Sequence, residues 1–201
     1  MRKAFFTLLL FAPLLAFAQQ SAPVVAEAAP RVQMVTSEGR ITLELYPERA
    51  PRTVANFLQY ASEGYYNGTV FHRVIDNFLI QAGRYTPDLN RKPVREPIIN
   101  ESDNGLSNLR GTLAAARMPS SADSATAEFF INVVDNPRLD FSGPDSPYSR
   151  GYAVFGRVVA GMDVVDRIRA VPTETRDPLG PNVPVEPVII ERIEVLEENT
   201  R

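Results

Sequence analysis

At 201 residues and 44% hydrophobic content, the chain is long enough to bury one core, with room for appendages. The absence of cysteine and the presence of a single histidine exclude disulfides, thiolate chemistry and the usual zinc sites, so no metal or other cofactor is expected. A formal net charge of −3 offers no footing for nucleic acid or an anionic lipid surface.

Residues 1–18 differ from the rest: Arg2 and Lys3 precede an apolar run from Ala4 to Leu15, which ends at Ala16-Phe17-Ala18. This is the three-part pattern of a secretory signal peptide with an A-x-A cleavage site. A membrane anchor fits less well, because the run is shorter than the ~20 apolar residues a spanning helix needs and Pro13 interrupts it. Cleavage is expected after Ala18, with delivery of a chain without stable membrane insertion to the periplasm. Loss of the cations Arg2 and Lys3 would take the formal charge from −3 to −5. Residues 19–30 are small, proline-containing and aperiodic, and read as a disordered linker.

The folded domain is expected over 31–197. Apolar residues alternate with polar ones from Val32 to Leu45 around a Ser37-Glu38-Gly39 turn, which predicts a hairpin. The period then changes. Val54, Phe57, Leu58 and Ala61 fall at helical spacing, with Pro51 at the first turn and Gly64 past the end. Short apolar runs follow at 69–75, 78–82, 97–99, 111–116, 128–134, 152–159 and 187–196, and a second short helix fits 162–169. Two helices and about eight short strands favour a β-barrel or sandwich over a parallel sheet.

The stretches that carry chemistry are the run from Phe71 to Gly83 and the segment from Gly111 to Asp140. With Asn104-Gly105, Glu128-Phe129-Phe130-Ile131-Asn132, Leu139-Asp140 and Gly151 to Gly156, they follow in order over roughly 31–196. In this the sequence resembles the cyclophilin family of peptidyl-prolyl cis-trans isomerases. The resemblance implies a mainly β fold, a closed eight-stranded antiparallel barrel capped by two α-helices, with the active groove on its outer surface. It also implies a monomer that acts on proline-containing polypeptides without a cofactor.

Residue by residue, the resemblance makes Arg73 the catalytic group, with Gln81 orienting it and hydrogen-bonding the substrate backbone. Phe78, Leu79, Phe130 and Leu139 match the pocket for the proline ring, and Tyr152 matches a rim position. Ala116 and Arg117 match an edge strand that pairs with the extended peptide, and Glu128 and Arg138 complete the groove. Alternation puts Leu79 with Gln81, and Glu128 with Phe130, on shared strand faces.

Several positions depart from the family pattern. Leu79 replaces the usual Met, Glu128 a Gln, Arg138 an aromatic, Asp76-Asn77 a Pro-Gly and Ala82 a Gly, while 141–150 is longer than its counterpart. Arg138 in place of a flat ring implies weak cyclosporin binding at most. A carboxylate at 128 within reach of Arg73 would form a pair that holds the guanidinium off the substrate. That leaves a binding-only, chaperone-like module of the same fold as the alternative function. A hydrolase built on His72 is a poorer fit, because alternation turns His72 to the opposite strand face from Arg73 as a packed structural residue and no G-x-S-x-G elbow occurs.

Overall fold

The computed structural model describes residues 29–196, so the expected signal peptide and most of the expected linker lie outside the described residues. Alternation sets the architecture. Strands β1 (Arg31–Thr36) and β2 (Gly39–Leu45) form the predicted hairpin, burying Val32, Met34, Ile41, Leu43 and Leu45 on one face. Helix α1 (Pro51–Ser62) follows, with Pro at its first turn and Thr53, Val54, Phe57, Tyr60 and Ala61 inward. No residue of its own caps it. The Glu101 carboxylate, distant in sequence, accepts hydrogen bonds from the amides of Arg52 and Thr53 and from the Thr53 hydroxyl at 2.7–3.0 Å.

The remaining strands are β3 (Thr69–Val70), β4 (Arg73–Ile75), β5 (Leu79–Ala82), β6 (Thr112–Ala115), β7 (Phe129–Asn132), β8 (Val154–Ala160), β9 (Thr173–Arg176), β10 (Gly180–Pro184) and β11 (Ile189–Leu196). Nine of the eleven strands make one antiparallel sheet in the order β3-β11-β1-β2-β8-β6-β7-β5-β4. Its two end strands are neighbours in the chain, joined only by Phe71 and His72. The sheet is therefore curled, with its seam at residues 69–75. The expected mainly β fold with two helices is present, and β3 and β4, read as one strand interrupted at Phe71-His72, bring the sheet to the expected eight strands; its closure is looser than expected, since the seam is joined through the chain and no ladder pairs β3 with β4.

Helix α2 (Met162–Arg169) falls where the sequence predicts it and buries Val164, Val165 and Ile168. Both helices feed one core with the inward faces of the sheet, including Phe57, Tyr66, Phe71, Phe129 and Phe155. Rings of Phe57, Tyr66 and Phe129 meet there with centroids 5.3–5.5 Å apart.

Two predicted features differ. Residues 97–99 form no strand, only a single bridge from Ile98 to Ala125. Conversely, β9 and β10 form a separate hairpin that the sequence reading misses, since its residues are mostly polar, glycine or proline and do not alternate. Among the described residues, no helix is long and apolar enough to cross a membrane.

Candidate active site

The outward face of the curled sheet carries a second, smaller apolar cluster: Leu79, Ala114, Ala116, Phe130 and Val154, with Phe78, Leu106, Leu139 and Tyr152 against it. Strand register lines up its centre. Arg73 on β4 lies opposite Gln81 on β5, Gln81 opposite Phe130 on β7, and Phe130 opposite Ala114 on β6. Side chains two residues apart share a face, so a guanidinium, an amide and an aromatic ring stand in one row across the sheet.

Around this row lies a groove of about 430 Å³. Its floor is apolar and dry: Leu79 is 3% exposed and Phe130 2%. The Phe130 ring meets that of Tyr152 edge-on, with centroids 5.6 Å apart. Phe78, Ala116 and Leu139 complete the apolar surface, and Arg73, Gln81, Arg117 and Glu128 supply the polar lining. Of the predicted site residues, Arg138 alone lies outside the lining; it is exposed on a 3₁₀ turn (Pro137–Leu139) and stacks its guanidinium 4.5 Å from the centre of the Phe78 ring.

Three expectations are corrected here. Glu128 does not pair with Arg73. Its Oε2 accepts a hydrogen bond from Gln81 Nε2 at 2.8 Å and lies 3.5 Å from His72 Nε2, while Oε1 is 3.6 Å from Arg84 Nη1. The reason is geometric: β5 places the Gln81 amide between the two, and Arg73 Nη1 reaches only Gln81 Oε1, at 3.5 Å. Burial alone would raise the Glu128 carboxyl, but His72, Gln81 and Arg84 outweigh it and hold the group below its ordinary value.

Second, 116–117 form no strand: β6 ends at Ala115, and the Ala116 amide just beyond it is donated to Glu128 O. The Arg117 side chain instead clamps the long 141–151 loop, donating from Nε to Gly151 O at 2.8 Å and from Nη2 to Pro147 O at 2.6 Å, with its guanidinium over the Tyr152 ring. Third, His72 is buried as expected, yet it lines the groove rather than only packing the core. Its ring rests on Tyr85, with centroids 4.5 Å apart.

Sequence reasoning also misses Arg84, Pro119, Leu179 and Pro181. The last two belong to the β9–β10 hairpin, whose tip forms one wall of the groove. A signal for Arg84 does exist. Gly83 has φ +103°, and a Cβ there would fall 2.7 Å from Ala127 O, so the chain passes close to the start of β7 and brings residue 84 beside 128.

Irregular segments hold much of the groove wall, and their backbone groups need buried partners. Asn108, Asn132 and Asn136 supply them. Asn132 Nδ2 donates to Asn108 Oδ1 and Thr112 Oγ1, and Asn136 Nδ2 donates to Asn132 Oδ1 and Phe78 O. Asn108 Nδ2 in turn donates to Leu139 O and Tyr152 O, as well as to the Asp140 carboxylate. Phe78, Leu139 and Tyr152 are thus tied to one network from behind. Gly151 completes the approach, since at φ +57° a Cβ would lie 2.5 Å from the Asp140 carbonyl carbon.

The chain has known counterparts. The model of the cyclophilin type peptidyl-prolyl cis-trans isomerase/CLD family matches residues 31–195. The chain belongs to the cyclophilin family. Peptidyl-prolyl cis-trans isomerase B of Escherichia coli (strain K12) is 52% identical over 162 residues, covering 81% of this chain and 97% of that one. Peptidyl-prolyl cis-trans isomerase cyp18 of Streptomyces antibioticus is 51% identical over 165 residues, covering 82% and 98%. A cyclophilin type peptidyl-prolyl cis-trans isomerase of Cryptosporidium parvum superposes with a TM-score of 0.71 over 84% of this chain and 98% of that one. At 24% identity it speaks to the cyclophilin fold alone. The curl of antiparallel strands with two helices is that fold.

The asparagine network generates a prediction for this cyclophilin. Asn132→Leu keeps the branched shape, though with more bulk, but strands Thr112, Asn108 and Asn136 without their partner, so unfolding free energy should fall by about 2–4 kcal/mol. Urea titration measures it; a loss below about 0.5 kcal/mol would show that the network is not a support.

Proposed function

We propose that this isomerase accelerates rotation about X-Pro bonds in exported polypeptides, without a covalent step and with Arg73 as the catalytic residue. Amide resonance sets a barrier of ~18–20 kcal/mol, and the rotating bond needs its resonance broken but no bond made. The groove offers what that requires. Leu79, Phe130, Phe78 and Leu139 take the proline ring out of water, while Arg73, exposed at the groove beside Gln81, presents a permanent donor to the nitrogen whose lone pair is freed as the amide twists. The observation that carries this reading is the row Arg73, Gln81, Phe130 across three paired strands, which sets a cationic donor beside an apolar, water-excluding floor.

Two finer points belong to the same proposal. Because Arg138 is exposed and stacked on Phe78 where the family has a flat wall, cyclosporin gains little apolar contact there. The exported substrates follow from the pattern of residues 1–18, whose apolar run ends at Ala16-Phe17-Ala18.

Arg73→Ala should lower kcat/KM by about 100-fold or more with the fold intact, as removal of one preorganised donor from a developing charge does. A protease-free assay of proline-limited refolding reads this, and near-normal turnover in a folded variant would move the step to another residue. Export is tested by mass spectrometry of protein recovered from the periplasm of a Gram-negative host. A chain starting at Gln19 is expected; one retaining Leu8 to Leu15 would contradict it.

A further inference from the structure

Glu128 has no part in the step just described, yet it stands in the groove with its charge partly withdrawn from water: its side chain is 17% exposed. A carboxylate so placed needs partners, and the ones it has are ordered. Arg84 supplies the counter-charge at Oε1, while Gln81 and His72 approach Oε2. None of these contacts is to Arg73.

An ionised carboxylate only accepts hydrogen bonds, whereas an amide has two ends and can be turned either way. Facing Glu128, Gln81 must present its NH₂, and it does so at 2.8 Å. Its oxygen is then forced toward Arg73, where it accepts from Nη1 at 3.5 Å. Both contacts are charge-assisted and favour the same orientation, but at 2.8 against 3.5 Å the one to Glu128 is the stronger, so Glu128 contributes most to holding the Gln81 amide. The reversed amide would put oxygen against carboxylate and NH₂ against guanidinium, both repulsive. A neutral amide at 128 would accept either orientation of Gln81, leaving only the longer contact to Arg73 to hold the Gln81 oxygen in place.

We propose that Glu128 is a positioning residue for isomerisation: it acts through Gln81 to hold Arg73 toward the substrate, with Arg84 as its counter-ion. This rests on the assignment of Arg73 above. It reverses the expectation that a carboxylate at 128 would restrain the guanidinium, because the amide stands between the two charges and converts a competing ion pair into an orienting contact.

A double-mutant cycle on the full-length mature chain tests the chain of contacts, with the protease-free refolding assay for kcat and KM and thermal melts for the fold. Glu128→Gln should lower kcat about tenfold with KM changed less than about twofold, since the loss is one of orientation and not of ring binding. In a Gln81→Leu background, the same substitution should change kcat less than about twofold, because the intermediary is gone. Arg84→Gln should lower kcat about threefold in the otherwise unaltered protein, a measurement that also serves if Glu128→Gln alone does not fold, and should leave it unchanged when Glu128→Gln is already present. Equal losses in both backgrounds, a loss confined to KM, or retained activity in Glu128→Gln would overturn the proposal. An unaltered protein whose activity depends on Arg73 while ignoring Glu128 overturns this inference alone; an unaltered protein with no isomerase activity overturns the functional reading beneath it.

Discussion

Hydrogen bonding by three buried asparagines is the constraint on which the groove depends. Strands satisfy their own backbone groups, but a groove on the outside of a sheet must be walled by segments that are not strands, and those bring unpaired carbonyls into a dry interior. Asn108, Asn132 and Asn136 meet that demand at Phe78, Leu139 and Tyr152 together. Because the asparagines also bond to one another, these three wall residues share one support. The sheet fixes the floor, and the asparagines fix the side that carries Phe78, Leu139 and Tyr152.

The two faces of the sheet then divide the work. Inward residues such as Ile80, Leu113, Ile131 and Phe155 belong to the main core, while their neighbours Leu79, Ala114, Phe130 and Val154 point outward and stay buried only because the groove walls cover them. An outward apolar face is normally a liability. Here it is confined to a cleft, proposed above to take up a proline ring, and the charged groups sit along one side of it. Rotation of an amide needs this combination: a water-poor seat for the ring, and a donor that meets the nitrogen only when resonance is lost.

Legibility in the sequence tracked local physics. Helix α1 was visible from Pro51, the spacing of Val54, Phe57 and Ala61, and Gly64; α2 from Val165 and Ile168; the groove floor from alternation in 78–82 and 128–134. The hairpin at 173–184 was not, because TETRDPLGPNVP shows no alternation and its pairing buries only Val183 and Pro184. Curl against closure was equally out of reach, being a matter of which end strands meet. The partners of Glu128 were misjudged for a related reason. One-dimensional alternation tells which face a residue takes but not which neighbour intervenes, and Gln81 stands between 128 and 73 only because register pairs it with both Arg73 and Phe130.

The central claim is that the groove lowers a rotational barrier and does not merely bind the peptide. Exchange spectroscopy by NMR on a short Ala-Pro peptide, with the protein at substoichiometric concentration and no protease present, measures the cis–trans rate directly. Uncatalysed exchange takes tens of seconds or longer, too slow to produce exchange peaks. The account predicts cis–trans exchange cross-peaks that grow with protein concentration and an unchanged peptide mass afterwards; peptide shifts that titrate with protein while the exchange rate stays at its uncatalysed value would contradict it and leave a binding module.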